Sequence, residues 1–388
     1  MSVTAPEGFV ASGVHCGIRK QDRLDLALVH SLTPATGAGM FTANHFVAAP
    51  VVVSREHLEL AQPQAVVANS GVANAATGER GLADARATAA ETGRVLGLEP
   101  EQVLVLSTGV IGAPLPLEPV LAGVRHAATT LGAGGGGDAA HAIMTTDTRP
   151  KQAVARGAGF AVGGMAKGSG MIHPHLATML AVVTTDYPLE AGEAADFLRP
   201  AVDASFNAIS VDGECSTNDT VLLLANGASD VDRTLASDEA FSLCLRTVCG
   251  ELARQIVADG EGATVLAEIA VRGAASDGQA RAIAERVATS PLVKTALYGH
   301  DANWGRIAAA AGSAKFDGGF AALDPGRLTI AIDGVPVLVS GSPSGDEPAL
   351  TNGSCAIELD LALGDGAATY LTTDLSYDYV RINAEYRS

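Results

Sequence analysis

The sequence predicts a mixed α/β or α+β chain with sheet packed on sheet, and three observations carry that expectation. Short apolar runs at 65–69 and 103–107 have the length and composition of buried strands, with a helix-period segment at 83–96 between them. A longer amphipathic helix is expected over 238–258, where Phe241, Leu245, Val248, Leu252 and Ile256 recur at helical spacing. The C-terminal third turns to hairpins: 328–332 and 335–339 flank Asp333-Gly334, and 356–363 and 367–372 flank Gly364-Asp365-Gly366. Helical stretches together with hairpins argue against a simple parallel doubly wound sheet.

The remaining elements follow from the same patterns. A helix is expected over 117–131, strands over 220–225 and 265–271, and a further helix over 277–288. The run 132–138, GAGGGGD, reads as a flexible surface loop; a phosphate cradle is the sharper reading, but no Gly-Lys-Ser/Thr follows it. The order Lys167-Gly168 fails the same test. There is no internal repeat, and a soft boundary is expected near residue 175, which composition alone does not place.

Composition bounds the function classes. With 388 residues and 47% hydrophobic content the chain can bury a sizeable core, and because aromatics are only 4%, Val, Ala, Leu and Ile must fill it. A formal charge of −18 argues against a nucleic-acid or anionic-membrane partner. Residues 1–25 lack a basic segment followed by an apolar one, and no run of about 18 apolar residues occurs, so neither a signal peptide nor a membrane span is expected. The five cysteines are scattered and never spaced as CxxC, which fits a reduced, cytoplasmic compartment and no cysteine-based metal site. Asn218-Asp219-Thr220 and Asn352-Gly353-Ser354 match the glycosylation sequon and are read as chance matches or turns.

Several segments place small and polar residues where a core would take Val or Leu. Ser107-Thr108-Gly109 closes a buried strand with two hydroxyls and a glycine, which lets a backbone N–H and a side-chain O–H face a cleft as an oxyanion hole does. Ile143-Met144-Thr145-Thr146-Asp147 and Ala166-Lys167-Gly168-Ser169-Gly170 have the same character, and Lys167 is one of only five lysines. Each of these also reads as a turn or a satisfied strand end. Thr178, in Ala177-Thr178-Met179-Leu180, reads on pattern alone as a buried hydroxyl bonded to a neighbouring carbonyl.

The segment from Lys167 to Leu180, KGSGMIHPHLATML, resembles the cleavage-site segment of the ornithine acetyltransferases, the glutamate N-acetyltransferases of arginine biosynthesis. The likeness runs along nearly the whole chain. It includes Phe41-Thr42-Ala43-Asn44, Asn69-Ser70-Gly71, the STGVIG and IMTTDT segments, and Asp212-Gly213 with Ser216-Thr217-Asn218-Asp219-Thr220. Farther on come Asp259-Gly260-Glu261-Gly262, Ser290-Pro291-Leu292-Val293-Lys294-Thr295, Asn303-Trp304-Gly305-Arg306 and Asn383-Ala384-Glu385-Tyr386. His173 and His175 stand where small or uncharged residues are expected, and Leu176 replaces a frequent methionine. These departures read as surface variation, or as imidazoles that tune self-cleavage with pH.

The resemblance implies a layered αββα sandwich of the self-processing aminopeptidase and ornithine acetyltransferase kind. It implies self-cleavage between Ala177 and Thr178 into an α chain, 1–177, and a β chain, 178–388, that opens on the nucleophile Thr178. The freed α-amine, with an ordinary pKa of about 7.7–8.0, then serves as the base. Thr108 (hydroxyl) and Gly109 (backbone N–H) match the family's oxyanion hole. Thr145, Lys167, Thr178, Glu261, Asn383 and Ser388 match its substrate-binding positions. Acetyl would pass from N-acetylornithine to glutamate by way of Thr178, with no metal or organic cofactor, in a heterotetramer of two α and two β chains. The alternatives are a bifunctional enzyme that also takes acetyl from acetyl-CoA, a paralogue serving secondary metabolism, and a self-cleaving aminopeptidase in which water resolves the acyl-enzyme.

Overall fold

A computed structural model describes residues 2–19, 23–173, 179–351 and 353–385. The chain forms two compact units, the first from Met1–Asn207 and Glu214–Ile256, the second from Ala208–Gly213 and Val257–Arg387. The division therefore does not fall near residue 175, and the described residues on either side of the expected cut, up to His173 and from Met179, belong to the first unit.

In the first unit, strands β1 (Phe9–Val14), β2 (Leu26–Ser31), β3 (Thr36–Phe41), β4 (Ala65–Val72), β5 (Val103–Val110), β6 (Lys151–Arg156), β7 (Ala161–Lys167), β8 (Leu180–Thr185) and β10 (Thr220–Ala225) form two sheets; β9 (Ile209–Ser210) belongs to the second unit. One sheet has the order β1-β2-β4-β5, the other β3-β10-β8-β7-β6. Their inner faces meet through Val29, Val66, Ala68, Leu104 and Leu106 on one side and Met165, Leu180, Val182, Leu222 and Leu224 on the other. The alternate residues of the first sheet, Leu28, Val67 and Val105 among them, face outward against Val120 and Val124 of the helix Leu117–Thr129 and Ala89 of the helix Gly78–Leu96. This two-residue alternation is what a strand buried on both faces requires.

Helices α1 (Ala49–Leu60), α2 (Gly78–Leu96), α3 (Leu117–Thr129), α4 (Gly136–Ala142), α5 (Ala194–Asp203) and α6 (Leu235–Ala258) complete the unit. Helix α6 lies so close to the second sheet that a Cβ on Gly164 of β7 would stand 2.8 Å from Leu252 and 2.9 Å from Val248. Phe197, Phe241, Tyr187 and Phe160 interlock beside it, with the Tyr187 and Phe241 rings stacked at 4.7 Å. Helix, sheet, sheet, helix is the expected layering.

Two local expectations are corrected. The glycine run is not a free surface loop: Gly132 exchanges 3.1 Å backbone hydrogen bonds with Ala11, and residues from Gly136 onward coil into α4. A Cβ on Gly135 would stand 1.8 Å from the Ala11 carbonyl oxygen, so the glycines serve a close backbone approach.

The second correction lies in the second unit, whose helices are α7 (Asp277–Ala288), α8 (Pro291–Tyr298), α9 (Trp304–Gly312) and α10 (Tyr377–Glu385). Its strands are β9, β11 (Val265–Ala274), β12 (Lys315–Phe316), β13 (Gly319–Phe320), β14 (Thr329–Ile332), β15 (Val335–Val339), β16 (Ser342–Pro343), β17 (Gly353–Asp360) and β18 (Gly366–Thr373). The hairpin between β14 and β15 forms as expected, with Asp333 at φ 48° and Gly334 at φ 76° in its turn. β17 and β18 do not pair, because β11 lies between them, parallel to β17 and antiparallel to β18. The glycines that suggested a turn instead let the chain cross the end of β11: a Cβ on Gly364 would lie 2.7 Å from the Ala274 oxygen, and one on Gly366 2.2 Å from the Ser276 carbonyl carbon. Ile283, Ala284 and Val287 of α7 cover this sheet through Ile269, Ile357 and Tyr370. Lys294 of α8 is buried and donates to the Thr372 hydroxyl at 3.0 Å and to the Thr373 hydroxyl at 3.1 Å, tying α8 to β18.

Among the described residues no helix is long and apolar enough to cross a membrane. The close approach of Gly135 gives a test. Gly135→Ala should lower unfolding stability by about 1–3 kcal/mol through overpacking, whereas Gly134→Ala, with open space around it, should leave it unchanged in the same urea titration.

Candidate active site

Strand alternation places the chemistry. Leu104 and Leu106 of β5 face the inter-sheet core, so Thr108 falls on the same face; Met165 of β7 does likewise, and so therefore does Lys167. The two residues meet at the ends of their strands, where the Lys167 ammonium donates to the Thr108 hydroxyl at 3.3 Å. Both are buried, at 2% and 3% exposure, so an apolar sandwich carries a cation at its rim. Beside Thr108, Gly109 has φ 134°, and a Cβ there would lie 2.3 Å from the Gly71 carbonyl carbon. Only glycine fits that backbone, at the strand end that carries the Thr108 hydroxyl.

Asp147 and Lys151 brace this corner. Asp147 accepts the Lys151 ammonium at 2.7 Å and the Gly168 N–H at 2.7 Å on one oxygen, and the Thr145 N–H at 2.8 Å on the other. One carboxylate thus fixes both Thr145 and the backbone directly after Lys167. Burial pushes the Asp147 carboxyl up, but the Lys167 and Lys151 ammonium groups and the Gly168 N–H outweigh it and bring it down to about 2. Thr146 and Ser169 share a 2.7 Å hydroxyl hydrogen bond across the same gap. The carbonyls of Met144 and Thr145 accept the Arg19 guanidinium at 2.5 Å and 3.1 Å.

Opposite lies the turn leading into β10. Asp219 is fully buried and accepts the Met179 N–H at 3.1 Å. Burial pushes its carboxyl well above the ordinary carboxylate range. In the second unit, the Asn383 amide donates to Glu261 at 2.8 Å, with Glu261 half-buried and Asn383 exposed, so these two expected substrate residues meet. Thr108, Gly109, Thr145 and Lys167 all belong to the first unit. Ala177, Thr178, His175 and Ser388 lie outside the described residues, while His173 is described and half-buried.

Sequence reasoning did not single out Lys151, and it quoted Asp147, Asn218 and Asp219 only as parts of motifs. A signal for the pair did exist. In a chain with five lysines, Lys151 follows an aspartate by four residues, although nothing in that spacing tells whether the pair is buried or in water.

The ArgJ family pattern matches residues 10–388. The arginine biosynthesis bifunctional protein ArgJ of Symbiobacterium thermophilum is 48% identical, over 100% of this chain and 98% of that protein. The protein of the same name from Bifidobacterium longum is 46% identical over 100% of each. A solved ornithine acetyltransferase from Mycobacterium tuberculosis, complexed with ornithine, is 43% identical over 45% of this chain and 94% of that one, with a TM-score of 0.41. The protein is an enzyme of the acyltransferase class. The chain belongs to the ArgJ family.

The buried pair is testable. Lys151→Met should destabilise the protein by about 3–5 kcal/mol at neutral pH, because Asp147 keeps a buried charge without its partner. A carboxyl held at about 2, against an ordinary value of 3.8, stabilises the fold above the ordinary value and loses that contribution as pH falls through about 2. The gap between variant and wild type should therefore narrow across that window. A gap independent of pH in urea titrations would exclude the assignment.

Proposed function

We propose that the protein transfers acetyl from N2-acetylornithine to glutamate, giving ornithine and N-acetylglutamate, by way of an acetyl-Thr178 intermediate. The observation that carries this reading is the meeting of Lys167 with Thr108 at the buried rim of the sandwich, in a chain of the ArgJ family. A buried ammonium pairs with a carboxylate, and the α-carboxylate is the group that acetylornithine and glutamate have in common.

In this reading the chain cuts itself between Ala177 and Thr178, leaving fragments 1–177 and 178–388. The Thr178 oxygen attacks the acetyl carbonyl and its proton passes to the freed α-amine. The resulting oxyanion is held by the Thr108 hydroxyl and the Gly109 N–H. Collapse breaks the C–N bond, and the proton goes to the departing ornithine nitrogen. Glutamate's amine then attacks the acetyl ester, and Thr178 regains its proton. Thr145 and Lys167 bind the shared α-amino-acid end. Glu261, braced by Asn383, is suited to ornithine's free amine, and Ser388 completes the set. The reading includes a cytoplasmic heterotetramer of two α and two β chains.

The name bifunctional carried by the relatives favours a second donor, acetyl-CoA, for the glutamate half-reaction. No other cofactor enters the proposal. Hydrolysis of the acyl-enzyme by water is the competing outcome.

Intact-mass spectra should show the two fragments, and Thr178→Ala should stay one chain and be inactive. Full activity in an uncut chain would exclude the mechanism. Initial rates against acetylornithine at several glutamate concentrations should give parallel double-reciprocal lines, the mark of a ping-pong reaction. Acetate released at one rate with or without glutamate would mean that water is the acceptor. Thr108→Ala should lose about 2.7–4 kcal/mol of transition-state stabilisation, seen mainly in kcat; a change in KM alone would make Thr108 a binding residue.

A further inference from the structure

A nucleophile and an oxyanion hole that sit on different sheets need something to fix the distance between them. Thr108 and Gly109 are on β5 of one sheet, and Thr178 is bonded directly to Met179, which leads into β8 of the other. The turn into β10 touches both. The Asn218 side-chain amide donates to the carbonyl of Ser107 at 2.8 Å and to the carbonyl of Ala73 at 2.7 Å. Ser107 is the residue immediately before Thr108. The next residue, Asp219, accepts the N–H of Met179 at 3.1 Å, and Met179 is the residue immediately after Thr178.

We propose that Asn218 and Asp219 form a rigid two-residue bracket that sets the spacing between the nucleophile Thr178 and the oxyanion hole at Thr108 and Gly109. The inference rests on the reading of Thr178 as nucleophile given above. Both members are positioning residues, acting on catalytic groups through the adjoining peptide units.

The bracket is itself held on several sides. Asn218 is 4% exposed and Asp219 is fully buried. The Asn218 side-chain oxygen accepts the Thr217 hydroxyl at 2.6 Å, and its backbone N–H donates to the Ser216 hydroxyl at 3.2 Å. The Thr42 N–H donates to the Asp219 carbonyl at 2.9 Å, and the Thr42 hydroxyl to that of Ser216 at 2.7 Å. Thr220 completes the grip on residue 179 by donating its N–H to the Met179 carbonyl at 3.1 Å. Residue 179 is therefore fixed at both its N–H and its C=O. Chain ends fray unless they are tied down, and a cut before Thr178 would make residue 179 the second residue of a new chain. The bracket is what keeps that new end in register with the strand that carries Thr108.

What Asp219 offers Met179 is a side-chain oxygen that accepts its N–H, and the Oδ1 of asparagine can take that place. The test uses full-length protein and reads two quantities: the rate of self-cleavage, and kcat and KM for acetyl transfer by the cleaved enzyme. Displacing a reacting group by about 1 Å costs on the order of 10²-fold in rate. Asn218→Ala and Asp219→Ala should each lose about that much in self-cleavage and in kcat, with KM for acetylornithine little changed. Asp219→Asn should recover most of the loss. The Asn218→Ala/Asp219→Ala double variant should be little worse than the poorer single one, as expected of residues that act as a unit. If an alanine variant does not fold, Asn218→Ser and Asp219→Glu, which shorten and lengthen the reach, carry the same expectation of lowered kcat at unchanged KM. Wild-type kcat in any folded variant other than Asp219→Asn, a rise in KM alone, or an Asp219→Asn no faster than Asp219→Ala would overturn the bracket. A wild-type chain that neither cuts nor transfers would instead overturn the reading of Thr178.

Discussion

The antiparallel ladder between β7 and β8 is the constraint on which the rest of the first unit depends. It runs from the Val162–Thr185 pair to the Lys167–Leu180 pair without a break in register. Opposed residues in such a ladder are only about 5 Å apart, so both ends of the connection 168–179 are fixed at one edge of the sandwich. β6 flanks the pair on one side and β10 on the other. A break of one peptide bond within that connection removes none of these hydrogen bonds. The proposed cut would therefore leave the sheet intact, and the compact units divide elsewhere.

How far the sequence disclosed this structure depended on whether a feature was periodic. β15 and α7 lie where their patterns put them, and β4 and β5 run only a few residues past their apolar cores, into the polar strand ends that carry Ser70 and Thr108. α2 begins at Gly78, five residues ahead of its apolar pattern, because its first turn is polar. The glycine run and the β17–β18 connection misled for one reason. Glycine marks either a turn or a close backbone approach, and only the tertiary partner, Ala11 or the end of β11, tells which.

The site was legible in a different way. Thr108, Gly109 and Lys167 stood out as polar residues ending apolar strands, and the family resemblance gave them roles. Thr145 is brought beside them by Asp147, and Glu261 is brought to Asn383. The bracing residues were not legible. Nothing in the local pattern of Lys151, Asn218 or Asp219 distinguishes a buried, partnered group from a solvated turn, since the difference lies wholly in contacts between elements distant in sequence.

Asp147 and Asp219 show how that distant context assigns chemistry to one residue type. Both are buried, and both feel the Lys167 ammonium. Desolvation raises each, yet one carboxyl ends at about 2 and the other is pushed well above its ordinary value. The decisive difference is the second cation: Lys151 lies 2.7 Å from Asp147, and among the described residues no second cation pairs with Asp219, which accepts from neutral groups such as the Met179 N–H. Asp147 therefore stays ionised and can anchor a lysine and two backbone amides at once. Burial pushes the Asp219 carboxyl toward its neutral form, and the hydrogen bond it accepts from the Met179 N–H does not depend on a charge. In the proposed reaction a carboxylate at Asp219 would oppose the developing negative charge, and burial works against that charge while leaving the hydrogen bond in place.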